Sequence, residues 1–418
     1  MTTTHAPGRT GRVGAAWPSP ARRTAPAVPR QALRLLALIL GVTMLGTTLP
    51  TPLYVIYQGR WHFSAAMVTV TFAAYAAAVL TTLLLAGRSS DQAGRRPVMA
   101  VALAASALST VLFILAPGFG VLIAARVVSG LSAGLMTGTA TAALTELIPA
   151  SAARRASLVA TAANMGGLGL GPLVAGLFAQ YAPHPTTLVF EVYLAVLAAA
   201  ALLLLLVPET VRPRTRPALR FAGLGIPERG RGEFIAAAVA TFAAFALLGL
   251  FSSLVPGFIG GVLHQGSHAV QGGIVFGLFA VGTVTQVMLS RFSSRRVVLA
   301  GLGLLLAALG LIVAALAQSG MALFLAGTAA GGVAVGAIFG GSLATANRLA
   351  PAGRRGQVIS AFFVACYAGL IIPVIGVGVL AGFTGTFPAV LAFSILLAVL
   401  CLFSIARIGR IASQGEPA

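Results

Sequence analysis

The chain has 418 residues and a formal net charge of +20, yet only 8% of its residues are charged and 58% are hydrophobic. Soluble domains carry about 25% charged residues, so this composition excludes a soluble enzyme and a disordered chain. A membrane-spanning helix takes about 20 apolar residues, and the apolar content therefore suffices for about a dozen spans.

The first 30 residues are rich in Pro, Ala and Arg and show no hydrophobic period. This composition predicts a disordered cytoplasmic tail over 1–30. A signal peptide is the alternative, because Arg30 and Arg34 precede an apolar run. That run continues to about Tyr57 without a clean small-residue cleavage site, so its length favours a first membrane span.

Apolar runs then recur at regular intervals along the chain. One long interruption, 208–232, is rich in Pro, Arg and Gly and predicts a cytoplasmic linker between a bundle over 31–207 and a bundle over 233–406, with a cytoplasmic tail over 407–418. The twelve predicted spans are 33–57, 64–86, 97–116, 119–143, 156–181, 186–207, 233–259, 269–290, 297–317, 320–346, 357–382 and 384–406.

The basic residues give the orientation. All 27 are arginines, and 25 of them fall on one side of the twelve spans, with Arg60 on the other side and Arg126 inside span 4. The positive-inside rule therefore predicts both termini in the cytoplasm and a multi-pass protein of the cell (inner or plasma) membrane. A basic chain also suggests nucleic-acid binding, but arginines clustered between apolar runs favour membrane lipids as partners and no nucleic acid.

An internal repeat divides the chain in the same place. A shift of 201 residues places Arg95 on Arg296 and Pro172 on Pro373. Duplicated halves are typical of transporters. The predicted fold is an all-α membrane protein with twelve transmembrane helices in two pseudo-symmetric six-helix bundles.

The loop after span 2 carries the spaced residues Gly87, Asp91, Gly94, Arg95 and Arg96. It resembles the loop signature of the major facilitator superfamily, although an ordinary positive-inside turn is the alternative. The resemblance implies that Asp91, with Gly87 and Arg95, stabilises the outward-open state by docking near span 11. The equivalent loop after span 8 lacks the acid.

Span 4 contains Arg126, and an arginine inside a span costs about 2.5–3.5 kcal/mol on insertion scales. Its surroundings, Leu122 to Gly134, resemble the span-4 motif of proton-coupled members of the superfamily, which implies a role in proton or substrate handling. The alternative is a side chain that snorkels to the membrane edge. Glu191 in span 6 lies at a similar depth and is a possible partner, although span 6 is usually peripheral in this fold.

Span 5 contains Gly167, Gly171, Pro172 and Gly176. This pattern is similar to the span-5 signature of the superfamily's exporters, especially drug/proton antiporters. Generic packing of small residues is the alternative, and import remains open beside export.

Polar side chains in the central spans should face the interior, because lipid-facing polar groups are penalised. The candidates for the substrate cavity are Thr47, Tyr75, Asn164, Gln286 and Tyr367, with interhelical hydrogen bonds as the alternative role for each. Span 1 has no acid. This argues against a dedicated polycation substrate and leaves neutral and anionic solutes open, with Arg126 as a counter-charge for the latter.

No nucleotide-binding pattern or metal cluster occurs in the sequence, so we expect no cofactor, no metal and no enzymatic activity. A pore lining and a His/acid cluster are also missing, which disfavours a channel and a membrane enzyme. The predicted function is a monomeric, proton-coupled exporter of small amphipathic or drug-like molecules that works by alternating access. Proton-coupled uptake of a small nutrient solute is the alternative.

Overall fold

The computed structural model of the protein describes residues 1–3, 30–86, 89–148, 153–211, 223–261, 266–351 and 353–415. Within these ranges every regular element is a helix. The helices are α1 (Arg30–Thr48), α2 (Pro50–Trp61), α3 (Ala65–Ala86), α4 (Ser89–Ala93), α5 (Arg95–Ile114), α6 (Phe119–Glu146), α7 (Ala153–Tyr181), α8 (Pro185–Leu204), α9 (Arg231–Ser253), α10 (Val255–Gly261), α11 (His268–Leu289), α12 (Ser294–Gln318), α13 (Met321–Leu349), α14 (Arg355–Thr384) and α15 (Thr386–Gly415).

Twelve stretches among the described residues are long and apolar enough to cross a membrane, which confirms the predicted number of spans. The first span consists of α1 and α2, and the short α4 lies in the loop after the second span. The first span is broken where Pro50 opens α2, because proline has no N–H to continue the helical ladder.

The two halves repeat one another, as the fold prediction requires. In the first bundle α5 packs on α6 and α8, and α1 packs on α7; in the second bundle α12 packs on α13 and α15, and α9 packs on α14. Pro172 lies inside α7 and Pro373 inside α14, at the equivalent point of the repeat. The bundles contact each other chiefly through α7 with α11 and α3 with α14.

The two ends of the molecule differ in charge. We call the end at which the first span begins and the last span ends the arginine-rich end, because Arg95, Arg296 and Arg355 lie there, and the other the opposite end. The last helix is longer than the predicted span, because α15 runs to Gly415 and takes in most of the residues predicted as a tail over 407–418. Ile408 is buried and Ile411 packs near Gly232 at the start of α9, so the apolar face of α15 continues past the predicted boundary.

Candidate functional site

A cavity of about 220 Å³ lies between the two bundles. Five phenylalanines and two tyrosines contribute to its wall, together with hydroxyl and amide groups from threonines, Ser252 and Asn164. Among the described residues that line it there is no Asp, Glu, His or Arg. The cavity therefore suits a mainly apolar molecule that carries a few hydrogen-bonding groups.

The cavity extends toward the arginine-rich end. Leu83 and Thr141 lie in the last turns of α3 and α6, and Thr161 lies in the early turns of α7, all at this end of the molecule. These side chains are partly exposed. Among the described residues, the exposed part of the cavity wall therefore lies toward the arginine-rich end, and we interpret this end as the side from which the cavity is reached.

Three of the five residues expected in the cavity line it: Tyr75, Asn164 and Tyr367. Asn164 also makes the interhelical bond that was its alternative role, since its Nδ2 donates to Thr137 Oγ1 at 3.1 Å. Gln286 lines a smaller adjoining space beside Phe279 instead of the main cavity.

Thr47 was expected in the cavity but does not line it. It is 2% exposed, and its hydroxyl donates to the Met44 carbonyl of its own helix at 2.7 Å. Thr48 lines the cavity in its place, because one residue turns a helix by about 100°.

Arg126 lies deep in the first bundle and is 1% exposed. Its Nη1 donates to the Thr47 carbonyl oxygen at 2.5 Å. Its guanidinium carbon is 4.3 Å from the ring centroid of Tyr75 and 5.9 Å from that of Phe72. A snorkelling side chain would reach the outer surface of the bundle, whereas this guanidinium points into it.

Glu191, the possible partner of Arg126, is exposed on the outer face of α8. Among the described residues neither side chain takes part in an ion pair. The reason is the peripheral position of α8, which turns Glu191 outward at a depth where Arg126 turns inward. The structure therefore does not bring the two proposed coupling residues together.

Gly176 of the span-5 motif forms a close contact with α11 toward the opposite end. A Cβ on Gly176 would lie 2.5 Å from the carbonyl oxygen of His268, and a Cβ on Gly272 would lie 2.1 Å from that of Pro172. The backbones of α7 and α11 thus touch across the two bundles with almost no side chain between them. Gln180 accepts a hydrogen bond from the His268 N–H at 2.9 Å in the same contact.

Gly167 and Gly171 of the same motif face α1 instead. A Cβ on Gly167 would lie 2.4 Å from the Gly41 carbonyl oxygen, and one on Gly171 would lie 2.2 Å from Thr48 Oγ1. Thr48 donates to the Leu168 carbonyl at 2.8 Å across this contact. The motif therefore joins α7 to α1 at its centre and to the second bundle at its end.

A sequence model of the Major Facilitator Superfamily matches residues 36–373, which is most of the chain. The protein belongs to the Major Facilitator Superfamily. The superfamily is one of transporters, and the chain is a multi-pass membrane protein.

Two curated relatives match part of the chain. One is the uncharacterized MFS-type transporter YceJ of Bacillus subtilis, 30% identical over 171 residues, which is 41% of this chain and 42% of the relative. The other is a triacylglyceride transporter of Mycolicibacterium hassiacum, 31% identical over 160 residues, which is 36% of this chain and 27% of the relative. The chain thus spans less than half the length of these relatives.

Solved structures of other transporters share the fold at low sequence identity. A bacterial homolog of the human lysosomal transporter Spinster, in an inward-facing and unoccupied conformation, gives a TM-score of 0.73 at 17% identity over 93% of this chain and 99% of that chain. The human organic anion transporter MFSD10 (TETRAN) gives 0.66 at 17% identity over 92% of this chain and 100% of that chain.

The superfamily's loop signature forms a network of ion pairs at the arginine-rich end. The Arg95 side chain is buried, and its Nη2 lies 2.6 Å from an Asp91 oxygen and 2.6 Å from a Glu146 oxygen. Asp91 remains about half exposed. Gly87 lies outside the described residues. In this state Asp91 pairs within its own bundle, and its docking near span 11 stays a prediction for the outward-open state.

Glu209 anchors the same loop from the end of the first bundle. Its carboxylate accepts hydrogen bonds from the backbone N–H groups of Arg95 at 2.8 Å and Arg96 at 3.0 Å, at the start of α5. A carboxylate at a helix N-terminus satisfies free N–H groups and complements the helix dipole. Gly94 directly precedes α5 and has a φ of 98°, a conformation that favours glycine.

Sequence reasoning missed Glu146 and Glu209 because they are 51 and 114 residues away from Arg95 along the chain. A signal was available. The chain has only seven acidic residues, and these two lie at the ends of spans 4 and 6, where arginines crowd. A scarce acid at an arginine-rich membrane edge indicates a fixed contact with the neighbouring basic loop.

Proposed function

We propose that the protein exports small amphipathic molecules from the cytoplasm by alternating access, with a proton gradient as the driving force. The observation that carries this proposal is an apolar cavity between the bundles that is reached from the arginine-rich end and closed off by α7 and α11 at the opposite end. With the arginine-rich end in the cytoplasm, this is the state in which an exporter takes up its substrate.

The lining supports the class of substrate. Aromatic rings such as Phe245 and Tyr367 offer apolar and π contacts, and Asn164 and the threonines offer hydrogen bonds. Ligand sites usually measure about 300–1,000 Å³, so a cavity of about 220 Å³ favours small molecules.

Proton coupling rests on the resemblance of spans 4 and 5 to those of proton-coupled exporters. The described lining residues include no side chain that titrates near neutral pH. A coupled proton would then travel on the substrate's own acidic group or on a group outside the cavity.

Everted membrane vesicles test the proposal. Vesicles that contain the protein should accumulate an amphipathic fluorescent dye when energised, and nigericin, which dissipates the pH gradient, should stop the accumulation. Vesicles with the Gly176→Leu variant serve as the control, because the leucine side chain blocks the contact between α7 and α11. Equal accumulation in both would overturn the proposal.

A growth screen separates export from the second candidate, uptake of a nutrient. The inward-reached cavity is also the state in which an importer would release its solute. A deletion strain that becomes hypersensitive to several antibiotics supports export. Failure of that strain to grow on one particular solute supports uptake and overturns export.

A further inference from the structure

Arg126 is a buried charge that has no counter-charge in the part of the chain that the structure describes. It is 1% exposed, and no carboxylate among the described residues forms an ion pair with it. Burial of an ionised group is costly unless the group is paired and hydrogen-bonded. The two aromatic faces of Phe72 and Tyr75 recover only part of that cost.

Polar atoms around this charge are also unused. Arg126 Nε is buried and has no hydrogen-bond partner in the described part of the chain, and the same holds for the hydroxyl of Tyr54. Tyr54 is 2% exposed and lies within electrostatic range of Arg126. Buried donors without acceptors are rare in native proteins, and here two of them accompany an unpaired cation.

The guanidinium is close to the cavity. Phe72 and Tyr75 both line the cavity and both lie against Arg126, so these two rings are the partition between the charge and the cavity. Rotation of the Tyr75 side chain would bring the guanidinium into contact with the cavity's contents.

We propose that Arg126 binds the oxyanion of an amphipathic monoanion, such as a carboxylate or sulfonate, while the apolar body of that molecule fills the aromatic cavity. This rests on the proposed function and names its substrate class. The anion supplies the missing counter-charge and accepts hydrogen bonds from Arg126 Nε and the Tyr54 hydroxyl. A neutral molecule leaves these groups unpaired, and a cation meets an uncompensated positive charge.

Binding can be measured without transport. Cys366 and Cys401 are buried free thiols, so a thiol-reactive fluorophore reports unfolding of the purified, full-length protein. A ligand that binds only the folded state raises the unfolding temperature by mass action. The probes are 2-naphthoate, octanoate and 1-naphthalenesulfonate, each compared with its neutral amide.

We expect at least one anion to bind wild-type protein about tenfold to a hundredfold more tightly than its amide, as a charge-assisted hydrogen-bonded pair does. Arg126→Gln should remove this preference. The control is Arg60→Gln, which removes an arginine at the opposite end that bonds only Thr186 among the described residues, and it should keep the preference.

Two results would overturn the proposal: equal stabilisation by every anion and its amide in wild type, or an anion preference that survives in Arg126→Gln. If Arg126→Gln does not fold, the comparison of each anion with its amide on wild-type protein still tests the proposal. Failure of the proposed export function can be distinguished from failure of the proposed anion site. Equal stabilisation by anions and amides, with efflux of both from proteoliposomes, keeps the exporter and removes the anion site. Anion-selective binding without efflux of any probe keeps the site and removes the exporter.

Discussion

The ring centroid of Tyr75 lies 4.3 Å from the guanidinium carbon of Arg126, and the same ring forms part of the cavity wall. One side chain thus contacts both the buried charge and the space in which a substrate is held. Any movement of this ring changes the electrostatic potential that the cavity presents.

Replacement of the ring should destabilise the empty protein. A desolvated cation–π contact contributes about 2 kcal/mol, so Tyr75→Leu should lower the unfolding temperature measurably, in addition to the loss of ring packing. Tyr75→Phe keeps the π face and should remain close to wild type. Equal unfolding temperatures for the leucine and phenylalanine variants would show that the ring does not stabilise the charge.

The two acids around Arg95 should differ in their effects. The Glu146 carboxylate accepts hydrogen bonds from Nε and Nη2 of Arg95 and from the Thr210 hydroxyl. Glu146→Gln should therefore cost about 1–3 kcal/mol of stability. Asp91 is half-exposed, and Asp91→Asn should cost less than about 1 kcal/mol.

Asp91→Asn should affect transport more than it affects stability. Because the superfamily signature implies a gate role, Asp91→Asn should impair transport while expression and unfolding temperature stay near wild type. Vesicle transport and thermal unfolding of both variants check this. Wild-type transport by Asp91→Asn would remove the gate role.

Gly94 should not tolerate a side chain. Its φ of 98° and ψ of 155° lie in a region that is essentially restricted to glycine, where other residues cost about 1–3 kcal/mol. A Cβ there would also lie 2.9 Å from the Glu209 carboxylate. Gly94→Ala should lower the unfolding temperature, whereas Gly118→Ala, which has extended backbone and no neighbour within 4 Å, should not.

A single methyl group at the contact between α7 and α11 should shift the equilibrium between the closed and open states of the opposite end. Gly176→Ala places a Cβ 2.5 Å from the His268 carbonyl oxygen and so weakens closure of the opposite end. A cysteine at Thr161, in the cavity wall, should react with an impermeant maleimide from the arginine-rich side severalfold more slowly in this variant. Gly166→Ala on the same helix meets no atom within 4 Å and should leave the labelling rate unchanged.

The orientation has its own test. Reporter fusions after Gly59, near the end of α2, and after Gln318, at the end of α12, should report the outside of the cell, because the arginine clusters favour the cytoplasm. A cytoplasmic signal at either position would contradict the predicted topology.

The span number and the two-bundle fold were predictable because hydropathy and arginine position depend on each span by itself. The cavity was predictable only in part. Tyr75, Asn164 and Tyr367 line it, but Thr47 and Thr48 differ only by one helical step, which a pattern without a fixed helix rotation does not resolve. The prediction paired Arg126 with Glu191 only because the two residues lie at a similar depth in their spans. Only the packing of α8 shows that the carboxylate faces outward.

The glycine contact between α7 and α11 has a consequence for pharmacology. Because the two backbones meet directly at Gly176 and Gly272, no space for an inhibitor remains between α7 and α11 at this contact. A compound that competes for the cavity in this state has to arrive from the arginine-rich side. With that side in the cytoplasm, a useful blocker must first permeate the membrane, so screening should begin with membrane-permeant compounds.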